Sequence, residues 1–146
     1  MIDGLDHAAL SVSDVDRSIA FYHGLLGFEV IRVFETPPGS PLGDAVGMPG
    51  CIARIAHLRH AGKMVELLEY RQPSGRPIPR DYKQADLGWI HLGLKSTDAR
   101  ADYARLKAQG VRFVHEPIEF RPNVWIAYFY GPDGEMCELR ETPVGD

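Results

Sequence analysis

The chain has 146 residues, enough for one well-buried domain or two small fused modules, and 45% hydrophobic with 25% charged residues sets it apart from disordered sequences. Its net charge of -4 is spread along the chain, with no basic patch interleaved with aromatics, which argues against a nucleic-acid partner. No apolar run approaches the length of a membrane span, so the expectation is a protein with neither nucleic acid nor membrane as partner.

The first predicted strand runs from about Leu5 to Val12, with His7 on a mixed, small-residue face and Leu10 and Val12 on an apolar one. Ser13 is placed to cap the helix that follows, and Asp14 and Asp16 suit its positive end. Val15, Ile19, Tyr22 and Leu26 form its buried stripe, and Gly27 stops it. Phe28 to Glu35 returns as a second strand. Thr36 to Gly50 is dense in proline and glycine and reads as a long loop bordering a pocket. Cys51 to Leu58 and Lys63 to Tyr70 are the third and fourth strands. Met64, Glu66, Leu68 and Tyr70 share one face of the fourth, and Val65, Leu67 and Glu69 the other.

Gln72 to Pro79 is a linker by composition. The second half then repeats the first. Gly88 to Lys95 is a strand with His91 on one face and Ile90, Leu92 and Leu94 on the other. Ser96 or Thr97 caps a helix that ends at Gly110. Val111 to His115 is a strand, Glu116 to Asn123 a loop, Val124 to Tyr130 an aromatic strand and Glu135 to Glu141 the last strand. His7 lies 20 positions before Gly27, and His91 lies 19 before Gly110. His7 to Glu66 spans 59 positions and His91 to Glu138 spans 47, an excess of 12 that the Thr36–Gly50 segment absorbs. The fold class is therefore α+β: a single domain over 1–146, built of two βαβββ modules (about 1–71 and 86–146) joined by a linker over about 72–85. Their mixed sheets curl around a shared cleft.

Four residues occupy repeat-equivalent places: His7 and His91 on the first strands, Glu66 and Glu138 on the last. Opposite His7, His91 and Glu66 the strands carry aliphatic residues, so the four candidates face away from the helices. Two imidazoles and two carboxylates suit a divalent transition metal: Zn, Ni, Co, Mn or Fe. His57 and His60 are three apart on one strand and face opposite ways, and His23 and His115 are surface positions. Glu69, Glu141 and Cys137 have the wrong parity for the site. Arg54 is a candidate contact for an anionic substrate group. Trp125 and Phe129 share one face of the aromatic strand and Tyr128 and Tyr130 the other; one set lines the pocket, and Trp125 and Phe129 are taken as candidates. With only Cys51 and Cys137, and with Met1-Ile2-Asp3-Gly4 leading straight into a strand, the expected location is the cytoplasm.

The opening Asp6-His7-Ala8-Ala9-Leu10-Ser11-Val12-Ser13-Asp14, with Ser18-Ile19-Ala20-Phe21-Tyr22 and Leu25-Leu26-Gly27-Phe28, resembles that of vicinal oxygen chelate proteins. So does the ending Gly131-Pro132-Asp133-Gly134-Glu135-Met136-Cys137-Glu138-Leu139. That superfamily includes glyoxalase I, methylmalonyl-CoA epimerase, extradiol dioxygenases, and fosfomycin and bleomycin resistance proteins. The resemblance implies paired βαβββ modules around a metal, a small-molecule substrate and a homodimer. A fourth protein ligand at the Glu66 position is similar to glyoxalase I and the epimerase, whereas the dioxygenases and fosfomycin enzymes use three. The resemblance therefore implies a metal-dependent lyase or isomerase that abstracts a proton beside a carbonyl through an enediolate, with Glu66 or Glu138 as base. The alternatives are a non-haem Fe(II) ring-cleaving dioxygenase and a non-catalytic binder of an antibiotic or other small molecule.

Overall fold

The structure is a computed structural model that describes residues 1–143, so the last three residues of the predicted second module lie outside the described residues. The chain divides into two units, Met1–Pro77 and Ile78–Asp146.

The first unit runs β1 (His7–Ser11), α1 (Val15–Tyr22), β2 (Glu29–Thr36), α2 (Pro41–Ala45), β3 (Ile52–His60) and β4 (Lys63–Gln72). Its four strands lie in the order β1-β4-β3-β2, with β1 parallel to β4 and the other pairs antiparallel. The second unit repeats the plan with β5 (Leu92–Ser96), α3 (Ala99–Ala108), β6 (Ile118–Arg121), β7 (Val124–Tyr130) and β8 (Met136–Glu141). Its order is β5-β8-β7-β6, again with the first strand parallel to the last. Each half is thus an open, mixed, four-stranded βαβββ sheet, as the repeat arithmetic requires.

Alternation along the strands decides what each sheet face meets. In the first unit Ala56, Leu58, Val65 and Leu67 are buried on one face, and α1 packs there with Val15, Ser18 and Tyr22 fully buried. The helix stripe therefore includes Ser18 where the periodicity had placed Ile19. In the second unit α3 packs on β7 and β8, burying Ala99 and Leu106 beside Ala127, Phe129, Cys137 and Leu139.

The helix starts differ from expectation by one or two residues. Asp14, not Ser13, is the N-cap of α1 and accepts from the Arg17 N–H at 3.0 Å. Asp98, not Ser96 or Thr97, caps α3 and accepts from Ala101 at 2.9 Å. Carboxylates from the last strands reach the same helix ends. Glu69 Oε2 accepts from the Val15 N–H at 3.1 Å, and Glu141 Oε2 from the Ala99 N–H at 2.8 Å. A carboxylate at a helix N-terminus meets both unpaired N–H groups and the positive end of the helix dipole. That explains why each site glutamate is followed three residues later by another glutamate on the opposite face.

Three segments correct the sequence reading. Within Thr36–Gly50, Ser40 accepts from the Leu42 N–H and Pro41 opens the one-turn helix α2. Leu42, like Tyr70, then packs against Ala53, Ile55 and Leu68, residues on the sheet face away from α1. Val111–His115 is not a regular strand: Phe113 makes an isolated bridge to Phe129, while β6 forms inside the expected Glu116–Asn123 loop. All four residues of β6 are exposed, so no buried alternation marked it. Finally, β5 begins at Leu92, which leaves His91 just ahead of it.

Candidate metal-binding half-sites

On the sheet face away from α1, register brings the first unit's candidates together. Ala9 pairs with Glu66 across the parallel β1–β4 contact, and His7, two residues earlier, shares that face. His7 Nε2 stands 3.5 Å from Glu66 Oε2. In the second unit Gly93 pairs with Glu138, and His91, two residues earlier, sets its Nε2 3.5 Å from Glu138 Oε2. The four sequence-predicted residues thus form two like histidine–glutamate pairs, one per unit. Glu138 is the more enclosed carboxylate, its side chain 11% exposed against 20% for Glu66.

The far side of each histidine fixes its tautomer. His7 Nδ1 lies 2.8 Å from Asp6 Oδ2, an acceptor, so Nδ1 carries the hydrogen and donates. His91 Nδ1 lies 3.3 Å from Gln84 Oε1, and the Gln84 amide is itself oriented by donating to the Ile90 carbonyl at 3.2 Å. In both cases Nε2 is left with its lone pair directed at a carboxylate oxygen. Two lone pairs 3.5 Å apart repel unless a proton or a cation lies between them. The spacing fits one transition-metal ion bonded to each at about 2.0–2.2 Å. An acceptor behind a ligating histidine is also what such sites need to hold the ring. The residues therefore fit a divalent ion by donor type and spacing. Among the described residues, no group of three or more His, Cys, Asp or Glu side chains gathers to hold an ion.

The second oxygen of each carboxylate is held too. His57 Nε2 lies 3.0 Å from Glu66 Oε1, and the Tyr128 hydroxyl donates to Glu138 Oε1 at 3.0 Å. His57 pairs with Glu66 in the β3–β4 register, and Tyr128 with Glu138 in β7–β8, so the two donors occupy repeat-equivalent positions. The Tyr128 ring also meets His91 edge-on, centroids 5.4 Å apart. Burial chiefly raises the Tyr128 pKa above the usual phenol value; its bond to Glu138 and that residue's charge add to this, and Arg140 opposes it. The bond to Asp6 is the main cause of a raised His7 pKa, with burial opposing and the Glu66 and Asp6 charges adding. Tyr70 on β4 is likewise raised, by burial first and then by Cys51 and Glu66.

Three expected substrate contacts are corrected. Arg54 pairs with Glu69 on the helix face of the sheet, and its guanidinium makes a bidentate pair with Asp16 at 2.6 and 2.9 Å. It is occupied there and turned from the half-site. Trp125 lies on the α3 side, with the Arg100 guanidinium 4.5 Å from its ring. Phe129 is fully buried against Phe113. The site-facing set on β7 is instead Ile126, Tyr128 and Tyr130, by the parity of Tyr128 with Glu138. His57 is the residue the sequence reading passed over. Its opposition to His60 was read correctly, but only the β3–β4 register shows that His57 is the one on the Glu66 face.

Each βαβββ unit carries a histidine at or just before its first strand and a glutamate on its last, and that plan defines a fold class before any comparison is made. The sequence profile of the Glyoxalase/Bleomycin resistance protein/Dioxygenase superfamily matches residues 4–139, and the chain belongs to that superfamily. Among curated relatives, the uncharacterized YwbC of Bacillus subtilis is 27% identical over 95% of this chain and 98% of its own. The lactoylglutathione lyase of Neisseria meningitidis serogroup A is 26% identical over 96% and 91%. A glyoxalase family protein from Bacillus cereus superposes with a TM-score of 0.87 at 19% identity, covering 97% and 96% of the two chains, a likeness of fold. No helix among the described residues is long and apolar enough to cross a membrane.

Proposed function

We propose that the protein is a metal-dependent lyase or isomerase that moves a proton on the carbon beside a substrate carbonyl. His7, Glu66, His91 and Glu138 together hold one divalent ion. The observation that carries this reading is the duplicated pair: a histidine of fixed tautomer facing a carboxylate oxygen at 3.5 Å, once in each unit. Such a bound ion supplies positive charge beside the carbonyl oxygen, which stabilises negative charge as the neighbouring carbon loses its proton.

The chain's own residues supply the rest. Asp6 and Gln84 hold the two imidazoles. Glu138, the more enclosed carboxylate, serves as the firm ligand with Tyr128 on its second oxygen. Glu66, more open to solvent, is the base: it takes the proton from carbon and returns it to the adjacent carbon or the opposite face. Leu42 of α2 and Tyr70 line the same sheet face as Glu66 and supply apolar surface beside the base. A fourth donor at Glu66, in geometry like that of Glu138, favours this chemistry over the three-ligand dioxygenase plan. The substrate is a small carbonyl compound and the working form a homodimer, as the superfamily's plan implies.

The test is metal analysis of the purified protein, then assays of the hemithioacetal of methylglyoxal and glutathione and of 2-methyl-acyl-CoA thioesters. Metal-dependent turnover of either beyond one equivalent, lost in Glu66→Gln, supports the reading. Stoichiometric binding without turnover would make the protein a binder.

A further inference from the structure

The hydrogen bond on Glu66 has a support of its own. The Arg32 Nε–H donates to His57 Nδ1 at 3.1 Å. A guanidinium has no lone pair to offer, so His57 Nδ1 must be the acceptor and its ring proton must sit on Nε2. That proton points at Glu66 Oε1, 3.0 Å away. Arg32 therefore leaves His57 one role toward Glu66, that of donor. Both ring nitrogens are committed, so His57 cannot add itself to the ligand set.

This arrangement depends on a local departure from regular pairing. The β2–β3 register shifts between Val30 and Arg32, and the shift sets Arg32 opposite His57. Regular continuation from the Val30–Leu58 pair would have put Arg32 opposite Ala56, on the helix face. A bulge that re-aims one side chain is a recognised device beside functional sites. Phe34, two residues on, meets the His57 ring edge-on with centroids 5.4 Å apart and lies 4.9 Å beneath the Arg32 guanidinium. The side chain of His57 is only 11% exposed.

We infer that Arg32 and His57 are positioning residues for Glu66. Arg32 sets the tautomer, and His57 pins Oε1 so that Oε2 alone faces His7. The pin also tethers the carboxylate: if Oε2 swings toward a substrate carbon, Oε1 stays anchored and the base returns to the same place. This deepens the proposed function and rests on Glu66 being ligand and base. Its structural half does not depend on that role.

The experiment has two arms. Long-range proton–nitrogen correlation spectra of the metal-free protein read the His57 tautomer directly. The expected result is Nε2–H in the wild type and loss of that single state in Arg32→Met. An Nδ1–H signature in the wild type overturns the inference, whether or not the protein binds metal. In the second arm, Co²⁺ affinity and the Co²⁺ visible spectrum are compared for wild type, His57→Leu and His57→Gln. His57→Leu is expected to bind about 10–100-fold more weakly with an altered spectrum, as for lost supports behind metal ligands. His57→Gln, which keeps an N–H donor at a similar reach, is expected to recover most of both. Equal affinity and spectra in wild type and His57→Leu overturn the positioning role. A wild type that shows the Nε2–H tautomer but binds no Co²⁺ removes the proposed function and this role with it, leaving only the Arg32–His57–Glu66 chain of bonds.

Discussion

Adjacent residues on β7 give a sharp contrast, because Tyr128 and Phe129 point to opposite faces. Phe129 is fully buried, its ring 5.3 Å from that of Phe113, and its neighbours Tyr128 and Tyr130 make the backbone bonds to Val114 and Arg112 that hold the Phe113 segment. Truncation to alanine removes a large buried ring and leaves a cavity, which costs roughly 3–5 kcal/mol. At about 2–4 °C per kcal/mol for a chain of this size, the midpoint of thermal unfolding should fall by roughly 6–20 °C. Tyr128→Phe keeps the ring and removes only the hydroxyl that donates to Glu138 Oε1. A hydrogen bond to a charged acceptor is worth about 1.5–3 kcal/mol, but this carboxylate keeps some access to water, so a metal-free stability loss of at most about 1 kcal/mol is expected. Its effect should appear in metal binding, about 10-fold or more weaker, because the hydroxyl fixes the ligand. Circular dichroism melts in chelator and competition titrations with a coloured zinc indicator read the two quantities separately. A Phe129→Ala protein that melts like the wild type but loses ligand binding would return Phe129 to the pocket and refute the face assignment.

The two site glutamates should separate under the same substitution. Glu66→Gln is expected to retain the ion, since an amide oxygen still coordinates, while losing most turnover; Glu138→Gln should weaken metal binding more, and full activity in a metal-loaded Glu66→Gln protein would show that Glu66 is not the base. Gly43→Ala should destabilise the α2 segment by about 1–3 kcal/mol, because its new methyl would stand 2.7 Å from the Met48 carbonyl oxygen and 3.0 Å from the Gly50 nitrogen, both backbone atoms; faster amide exchange at Cys51 and Leu42 is the readout. Arg54→Met should leave metal affinity and activity unchanged while the Asp16 carboxyl rises toward its ordinary pKa, having been held below it chiefly by its bonds to Arg54. A depressed carboxyl stabilises the fold above its unfolded pKa and loses that contribution as pH falls through the folded value. The variant's stability should therefore differ from the wild type near neutrality and converge with it in acid, as urea melts across pH can show.

Much of this was legible in the sequence for one reason: the repeat and the two-residue period of a strand each constrain the same residues. His7, Glu66, His91 and Glu138 needed only parity and equivalence, and the structure shows each histidine on the same face as its glutamate. Glu69 and Glu141 were set aside on parity alone, and their hydrogen bonds to helix N-termini give the physical reason. What escaped was information held in register. Whether His57 or His60 faces Glu66 depends on how β3 slides along β4, and a single sequence does not state that. Arg32 was further out of reach, since its aim depends on a bulge. The aromatic strand was ambiguous because tyrosine suits a wet face and a packed one alike, and Phe129 suits both a pocket and a core. The edge strand β6 carried no signal, as none of its residues is buried. The α2 turn was hidden by prolines and glycines that read as loop, although Ser40-Pro41 is a sound helix start.

The proposal that His7, Glu66, His91 and Glu138 hold one ion has one most direct test. It is isothermal titration of metal-free protein with Zn²⁺, with elemental analysis of the dialysed product, for wild type, His7→Ala and His91→Ala. The expected result is one tightly held ion per chain in the wild type and loss of tight binding in each variant alone. An ion retained at full stoichiometry and affinity after either substitution, or no tight ion in the wild type, would contradict it.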